Sequence, residues 1–313
     1  MTDTPVRPEA RPQEPAPAKP GLSEIAAQIP DRHVPRRIGP RVARVGRHVA
    51  LIAFGLVMLY PLLWMLASSF KPTELIFREP GLLPTEWDFT NYTEGWNALL
   101  HPFHHYLLNS ALVVLGSVIG NLVSCSMAAY AFARLKFRGR GIWFAVMLMS
   151  IMLPIHVVIV PQYILFSSLE WINTFLPLIV PKILATDAFF IFLMVQFFRG
   201  IPKELDEAAR LDGCGHGRIF LRIMLPLSLP ALATTAIFTF IWTWNDFFSQ
   251  LIFLTRPDMY TVPIALRTFV DATSNSSWGP LFAMSIVSLV PVFVIFLFGQ
   301  KYIVKGIATT GIK

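Results

Sequence analysis

The fold of this chain is decided by the stretch Glu207-Ala208-Ala209-Arg210-Leu211-Asp212-Gly213, which continues to Ile223-Met224-Leu225-Pro226. It lies in a polar segment, residues 199–226, set between two long apolar runs. Glu204 and Glu207 come early in this segment, where carboxylates favour a helix N-terminus. Gly213 stands where a residue in the left-handed conformation would end the helix. The pattern predicts a short helix that ends at a glycine turn, followed by a second helix from Gly217 to Leu225, before Pro226.

The first predicted helix carries one narrow apolar face. Its members recur at i, i+4, i+7 and i+8, and they are Ile201, Leu205, Ala208 and Ala209. Because both alanines are small, the surface of another protein can approach the backbone closely at this face. The alternative interpretation is a plain amphipathic linker between the two apolar runs.

Composition excludes an ordinary soluble domain. Of the 313 residues, 54% are hydrophobic, only 14% are charged and 26 are phenylalanine. That is too apolar and too poor in charge for a soluble protein, so we predict a membrane-embedded one. The two cysteines, Cys125 and Cys214, have no metal-ligand spacing and predict neither a metal site nor a disulfide.

The first 47 residues differ from the rest of the chain. Nine of the first 40 are proline and no hydrophobic period is visible, so residues 1–47 are predicted to be a disordered tail. Arginines cluster just before the first apolar run, and such a cluster keeps the N-terminus in the cytoplasm and can attract anionic lipid headgroups. Residues 48–313 are predicted to form one transmembrane domain.

Six apolar runs follow, each long enough to cross about 30 Å of hydrocarbon. We place them at His48–Phe70, Tyr106–Phe132, Ile142–Phe166, Pro181–Phe198, Leu229–Leu251 and Leu281–Tyr302. The predicted fold class is therefore all-α, a polytopic membrane protein with six transmembrane helices. Prolines interrupt several runs, at positions 154, 161, 181, 230 and 291. Kinked helices around a central path are typical of transporters.

The lysines and arginines set the predicted orientation. With the N-terminus inside, 21 of the 26 fall in cytoplasmic segments. Only five fall outside, and they are Lys71, Arg78, Lys182, Arg256 and Arg267. Both termini and the polar segment are therefore predicted to lie in the cytoplasm. Because this asymmetry accounts for the net charge of +7, no nucleic acid is predicted as a partner.

Four residues of the fifth run are candidates for a substrate path: Trp242, Trp244, Asn245 and Asp246. A charge at the centre of a lone span costs about 2.5–3.5 kcal/mol, so it usually faces the protein interior or a cavity. Aromatic rings stack on the apolar face of a pyranose, while amide and carboxylate groups bind its hydroxyls. An interfacial aromatic belt with a structural hydrogen bond explains the same residues equally well.

Other polar residues in the runs are weaker candidates. Asp187 and Gln162 are the next choices for the path, whereas Lys182 and His156 are expected to be interfacial or packing residues. His101, His104 and His105 resemble a metal cluster superficially. No carboxylate or cysteine lies near them along the chain, so we expect interfacial residues rather than a metal site.

The opening stretch resembles the signature of the membrane subunits of bacterial ABC importers. That signature is E-A-A, three residues, G, nine residues, I, one residue, L-P, and this chain matches every fixed position with Glu207, Ala208, Ala209, Gly213, Ile223, Leu225 and Pro226. The resemblance implies the type I ABC importer permease fold, with a family core at about 104–303. It also implies that segment 199–226 docks on an ATPase subunit and couples ATP use to transport.

Further stretches look like the sugar-importer branch, the maltose-importer type. They are Tyr60-Pro61-Leu62-Leu63-Trp64, Ser68-Ser69-Phe70-Lys71, the stretch from Phe197 to Leu205, Trp244-Asn245-Asp246-Phe247 and the ending from Val304 to Lys313. The pattern fits the smaller of the two permease subunits of that importer. It implies a complex in the inner membrane with a second permease, two copies of an ATPase and an extracytoplasmic sugar-binding protein. Carbohydrate as the cargo depends mainly on this resemblance.

The chain shows no catalytic motif of its own. A G-x-x-x-x-G-K-[ST] phosphate-binding loop is absent, and so are G-x-S-x-G and H-E-x-x-H. We therefore predict a non-catalytic translocation subunit that needs no cofactor and leaves ATP hydrolysis to its partner. Two alternatives stay open: the same architecture carrying an amino acid, polyamine or glycerol-phosphate ester, or an intramembrane enzyme that uses Asp187, Asp246 or His156.

Overall fold

The computed structural model describes residues 40–270 and 277–310, and it describes side chains for 44–270 and 277–301. Residues 1–39, most of the proline-rich tail, lie outside the described residues, as do the last three residues of the predicted cytoplasmic C-terminus. The residues it does describe form helices and turns without strands, which confirms the all-α class. The chain divides into two units, residues 1–58 and 59–313. Helix α1 (Pro40–Ser68) supplies the described part of the first unit. The prediction that disorder extends to residue 47 is therefore wrong for residues 40–47, where the helix of the first span begins earlier.

The second unit contains the remaining helices. They are α2 (Thr90–Asn97), α3 (Phe103–Arg134), α4 (Arg140–Ser150), α5 (Ile155–Ser168), α6 (Leu176–Ile183), α7 (Ala188–Gly200), α8 (Glu204–Leu211), α9 (His216–Ile219), α10 (Leu225–Leu227), α11 (Leu229–Trp244), α12 (Phe248–Phe253), α13 (Val262–Thr268) and α14 (Trp278–Thr310). A π turn, Phe220–Met224, joins α9 to α10, and a 3₁₀ turn, Pro257–Met259, precedes α13.

Four helical stretches of the described residues are long and apolar enough to cross a membrane, and the number rises to six if each of two bent pairs is one span. The four are Arg44–Ser68, Phe103–Arg134, Leu176–Gly200 and Trp278–Lys301. The bent pairs are α4 with α5, at 101°, and His216–Leu227 with α11, at 76°. Each of the six predicted runs therefore contains helix. The 101° bend lies within the third run, and the 76° bend lies at Ser228, just before the fifth.

Two predicted boundaries are wrong. The fourth span begins at Leu176 rather than at Pro181, because Pro181 is accommodated inside α6. Lys182 therefore lies within a candidate span and does not belong to an outside loop. The fifth run ends as a helix at Trp244 rather than at Leu251, since the chain breaks there before α12 begins.

The prolines of the runs act differently from one another. Pro154, with φ = −63° and ψ = 136°, is the residue before α5 and marks the sharp bend after α4. Pro230 stands in the first turn of α11, where its missing N–H has no partner to lose. Pro161 and Pro291 lie inside α5 and α14. Proline position alone therefore did not identify which helices break.

Helix α3 is the centre of the second unit and packs against α6, α7 and α11. Its Gly120 meets α6 so closely that a Cβ would stand 3.0 Å from the backbone nitrogen of Ile183. Small residues allow this approach between membrane helices, where dispersion contacts replace the hydrophobic effect. The α3–α6 crossing therefore depends on a glycine.

Apolar side chains cover much of the outside of the unit. Ile142, Ile164 and Phe298 are 71%, 65% and 72% exposed. So many exposed large apolar side chains are unusual for a soluble protein and suit contact with lipid or another membrane subunit. The exposed apolar faces therefore agree with the predicted membrane location.

Candidate functional site

The polar segment, residues 199–226, folds as two helical pieces joined by a glycine turn, as predicted. The first piece is α8; the second consists of α9, the π turn Phe220–Met224 and α10. The prediction that the second piece stops before Pro226 is wrong, because the helix continues past it. Leu225 donates its N–H to a carbonyl five residues back. This wider turn displaces the carbonyl that the proline ring would otherwise meet.

Gly213 ends α8 in the left-handed conformation, with φ = 76°, as the sequence predicts. Its N–H donates to the Arg210 carbonyl at 3.0 Å, and the Cys214 N–H donates to the Ala209 carbonyl at 2.9 Å. This pair of bonds is a Schellman motif, which satisfies the last carbonyls of a helix and reverses the chain. None of the described atoms outside the immediate backbone lies within 4 Å of where a Cβ would stand. Glycine is therefore required by backbone conformation and not by crowding.

The motif residues divide between an inner and an outer surface of the polar segment. Ala209 is buried, and Ile223 and Leu225 are half-buried. The exposed members are Glu207, Ala208, Gly213 and Pro226. The segment thus presents a carboxylate and a small side chain outward from a surface that is anchored on its inner side.

The single apolar face predicted for α8 is wrong. Ile201 and Ala209 are buried against this chain's own core, whereas Leu205 and Ala208 are exposed. Their exposed neighbour Leu211, at 91%, adds another apolar side chain to the outside. The helix therefore has one face toward its own protein and one toward its surroundings.

Asp206 is the buried charge of α8 and was not predicted from the sequence. Its Oδ2 lies 3.4 Å from Nη1 of Arg134, the last residue of α3. Nη2 of Arg134 also donates to the carbonyls of Phe198, at 2.7 Å, and Ile201, at 2.5 Å, where α7 ends. A single guanidinium therefore connects the ends of α3 and α7 to α8. The available signal was that Asp206 shares a helix face with Ala209, three residues on.

The two tryptophans at the end of α11 have different surroundings. Trp244 is buried, and its ring stacks on Phe240 with centroids 5.6 Å apart. Trp242 is 49% exposed, and its ring lies 5.1 Å from that of Phe190 on α7. Trp244 therefore lies in the core, whereas Trp242 lies on a surface.

Asn245 and Asp246 follow the last turn of α11. Asn245 donates its side-chain amide to the Ile241 carbonyl at 2.8 Å, and Asp246 accepts the backbone N–H of Ser249 at 3.1 Å. Both side chains therefore make local bonds at the junction with α12, although each keeps accessible surface. Their place in a substrate path stays a prediction.

A second polar cluster lies between α3, α6, α7 and α11, and it centres on Asp187. Nζ of Lys182 donates to the two carboxylate oxygens of Asp187 at 3.0 and 2.9 Å. Asn121 donates its Nδ2 to Asp187 Oδ2 at 2.6 Å, and the same Nδ2 lies 3.1 Å from Thr239 Oγ1. Lys182, expected to be an interfacial or packing residue, is the ion-pair partner of Asp187. Asn121 was not singled out, although it is a polar residue within an apolar run.

The remaining polar candidates are His156 and Gln162, both on α5. The ring of His156 lies 4.9 Å from that of Phe248, as expected of a packing residue. Gln162 is half-buried in α5.

Two of the three histidines near the start of α3 lie close to Asp258, so the expectation that no carboxylate lies nearby is wrong. His101 Nε2 is 3.0 Å from Asp258 Oδ1, and His105 Nε2 is 2.7 Å from the Asp258 carbonyl, while His104 stacks on an indole. Hydrogen bonds from His101 and then Arg256 hold the pKa of Asp258 below its usual range. In the described part of the chain, no three metal-binding side chains converge.

Comparison with known proteins gives one family. The family model for the binding-protein-dependent transport system inner membrane component matches residues 120–309. The probable ABC transporter permease protein YurM of Bacillus subtilis (strain 168) is 36% identical over 289 residues, which cover 91% of this chain and 95% of that protein. The diacetylchitobiose uptake system permease protein NgcG of Streptomyces coelicolor is 32% identical over 83% of this chain and 86% of its own.

Two further matches agree. The arabinooligosaccharides transport system permease protein AraQ of Halalkalibacterium halodurans is 34% identical, with coverage of 84% of this chain and 94% of that protein. A crystal structure of a bacterial ABC transporter involved in the import of the acidic polysaccharide alginate superposes with a TM-score of 0.74. It covers 84% of this chain and 97% of the solved one at 23% identity, which shows a common fold.

Proposed function

Because this chain belongs to the family of binding-protein-dependent transport system inner membrane components, we propose that it is the smaller permease subunit of an ATP-driven carbohydrate importer. Family membership makes it a multi-pass translocation subunit without catalytic chemistry of its own. The observation that carries the rest is the polar segment, which presents Glu207 and Ala208 outward from a helix anchored to the chain's own core.

The cytoplasmic partner in this proposal is a dimer of ABC ATPases. Glu207 pairs with an arginine of the ATPase, because a carboxylate and a guanidinium form a directional, charge-assisted contact. Ala208 lets the partner approach the backbone, and Leu211 supplies apolar area. The buried side, with Ala209 and Asp206, transmits the motion of α8 to α3 and α7.

The cargo in this proposal is a neutral carbohydrate. The names of two relatives, a diacetylchitobiose and an arabinooligosaccharide permease, support this class. The chain adds an argument of its own, since Lys182, the basic side chain near the middle of the fourth span, is already paired with Asp187. A glycerol-phosphate ester would find no free positive charge there, so a neutral cargo fits better.

The substrate path runs past the end of α11. Trp242 offers an accessible aromatic face, while Asn245 and Asp246 offer polar groups with remaining accessible surface. Trp244, packed on Phe240, positions this helix end from behind. Rings and polar groups together suit the two faces of a pyranose.

The assembly has a second permease subunit beside this chain and a sugar-binding protein on the extracytoplasmic side. Both termini and the polar segment lie in the cytoplasm, and the permease domain begins within helix α1, near residue 48. The Lys/Arg asymmetry supports this orientation. Labelling of single cysteines in intact cells checks it: Thr90→Cys is reached from outside, and Arg210→Cys is not.

The proposed function is tested by reconstituting the assembled complex in proteoliposomes. ATP inside and a sugar-loaded binding protein outside should give uptake of labelled diacetylchitobiose, arabinooligosaccharide or maltose. Uptake should disappear when ATP is omitted or the ATPase carries an inactivating substitution. Uptake that continues without ATP, or the failure of every neutral sugar, contradicts the proposal.

A further inference from the structure

The fourth span is broken in the middle, between α6 and α7. Residues 184–187 are not helical, and Ala185 adopts the left-handed conformation with φ = 57°. An alanine rarely takes this conformation, and such outliers concentrate at sites where the backbone is held for a function. In a membrane, irregular backbone is tolerated only where protein or a water-filled cavity covers it.

A cavity lies at this break, and we name it the Asp187 pocket. Its volume is about 190 Å³, room for several waters at about 30 Å³ each. The lining comes from the end of α4, the break itself, the start of α7 and α11, with Ser150, Ile151, Thr186, Asp187, Ala188, Phe189, Phe190 and Trp242. The break therefore opens into a space of the size of one sugar ring.

The two walls of the Asp187 pocket differ in chemistry. Trp242 forms the aromatic wall, with Phe189 and Phe190 at 5.3 and 5.1 Å between ring centroids. Asp187 and Thr186 supply a carboxylate and a hydroxyl at the broken backbone. A half-exposed indole and hydrogen-bonding groups that line one pocket match a pyranose, which has an apolar face and a rim of hydroxyls.

The carboxylate of Asp187 is held in place before any ligand arrives. Lys182 and Asn121 donate to its oxygens, and Asn121 is itself buried and close to Thr239. The Asp187 side chain nevertheless keeps 23% of its surface accessible. A carboxylate oxygen can accept more than one hydrogen bond, so acceptor capacity remains for a ligand.

The charge balance selects a neutral ligand. Lys182 already compensates Asp187, so a cation gains little there. An anion meets the accessible carboxylate, and the lining residues that the structure describes carry no positive charge. A neutral ligand with hydroxyl groups therefore fits the pocket best, because hydroxyls donate hydrogen bonds to the carboxylate without adding charge.

We propose that the Asp187 pocket is a subsite for one neutral sugar ring, in which Trp242 stacks on the ring and Asp187 accepts hydrogen bonds from its hydroxyls. Lys182 and Asn121 are positioning residues that orient the carboxylate. The subsite belongs to the same transport path as the proposed function and rests on it. It places a cargo contact at the broken fourth span of this subunit.

The first experiment measures transport by the assembled complex in proteoliposomes, with the neutral sugar that it takes up. Trp242→Ala and Asp187→Asn should each raise the apparent KM for the loaded binding protein, or lower the uptake rate, by about tenfold, the effect of losing one good contact. Trp242→Phe should recover most of the activity, because it keeps an aromatic face. Trp143→Ala and Glu170→Gln, on exposed surfaces elsewhere, are the matched controls.

The second experiment detects the ligand at the site. Thr186→Cys, in a chain with Cys214→Ser, is labelled with a small thiol reagent while the complex is trapped by ATP and vanadate. The transported sugar should slow labelling severalfold, and Trp242→Ala should remove this protection. Labelling of the same chain without Thr186→Cys gives the background.

The outcomes separate this subsite from the proposed function. If the complex transports a neutral sugar while both variants keep wild-type uptake and the cysteine is not protected, the subsite is wrong and the function stands. If Asp187→Asn fails to assemble, the double variant Lys182→Met with Asp187→Leu removes both charges, and its assembly without sugar protection supports the subsite. Wild-type protection in that double variant overturns it. If no neutral sugar is transported, both proposals fail.

Discussion

The Arg134–Asp206 and Lys182–Asp187 ion pairs differ in how completely protein encloses them. The side chains of Arg134 and Asp206 are 3% and 9% exposed, whereas those of Lys182 and Asp187 are 30% and 23% exposed. The first pair is sealed between α3 and α8, and the second opens on the Asp187 pocket. A fully enclosed charge pair can hold helices together, whereas a partly exposed pair stays available to a ligand.

The sealed pair is also the less completely bonded one. Arg134 Nε and Asp206 Oδ1 have no hydrogen-bond partner among the described residues, whereas both oxygens of Asp187 are bonded. Apolar residues of similar volume often stabilise such a position better than an ion pair. The sealed pair therefore serves to position α8 against α3 and α7, because Arg134 also donates hydrogen bonds to the carbonyls at the end of α7.

The largest effect on the folded subunit is expected from Asp206→Ala. The change leaves the guanidinium of Arg134 buried without its charge partner, which typically destabilises a protein by about 3–5 kcal/mol. The purified complex should unfold at a clearly lower temperature, or the subunit should fail to assemble. Thermal unfolding in detergent, read together with the yield of ATPase that co-purifies, measures this. Asp212→Ala, on an exposed residue of the same segment, is the control.

A double variant sharpens that result. Arg134→Met combined with Asp206→Leu removes both charges, and the melting temperature should return to near the wild-type value or above it. Transport by this variant then reports whether the charges matter beyond stability. An Asp206→Ala complex that melts at the wild-type temperature would show that the sealed pair does not fix these helices.

The accessible pair should tolerate the loss of one partner better. Lys182→Met leaves Asp187 with its bond from Asn121 and with space for water in the pocket, so we expect a loss of about 1–3 kcal/mol. The melting temperature should fall less than for Asp206→Ala. Lys203→Met, an exposed lysine of the polar segment, controls for charge. A loss as large as that of Asp206→Ala would remove the distinction between the two pairs.

The sequence predicted what is local in the polar segment. The spacing from Glu207 to Gly213 specifies a short helix and its left-handed end, because capping depends on neighbouring residues. The all-α class and the apolar runs also follow from composition and length. Helix continuation past Pro226 was missed, since a π turn leaves no signature in residue spacing.

The sequence did not predict what brings distant residues together. Arg134 and Asp206 lie on different helices, and a single sequence gives no distance between them. The contact between Asp258 and His101, which are also far apart in the chain, was missed for the same reason. Lys182 and Asp187 are close in the chain, yet their contact depends on the helix break at Ala185. An alanine gives no sequence signal for a left-handed conformation, so this break was not predicted.

A smaller effect on the fold is expected at the turn behind α8. Gly213→Val places a β-branched residue at φ = 76°, which costs roughly 1–2 kcal/mol for an L-residue in the left-handed region. The sealed pair should keep α3 joined to α8, while the exposed face is displaced. ATPase retention should therefore fall more than the melting temperature. Gly213→Asn tolerates this conformation and should behave nearly as wild type; if valine does too, the turn does not set the outer face.

The smallest effect on the fold, and a large one on function, is expected from Glu207→Ala. Glu207 is exposed, and substitutions at such surface positions usually change stability by no more than about 0.5 kcal/mol. The sealed pair beneath it remains intact, so the melting temperature of the subunit should not move. If Glu207 contacts the ATPase through a desolvated charge pair, its loss weakens that association by roughly 2–5 kcal/mol, and ATP-driven uptake should disappear. Glu204→Ala, also exposed and on the same helix, should leave ATPase retention and uptake unchanged. Equal behaviour of the two variants would mean that the outer face of α8 does not recognise the ATPase through Glu207, and that the sealed pair holds the helix for another partner surface.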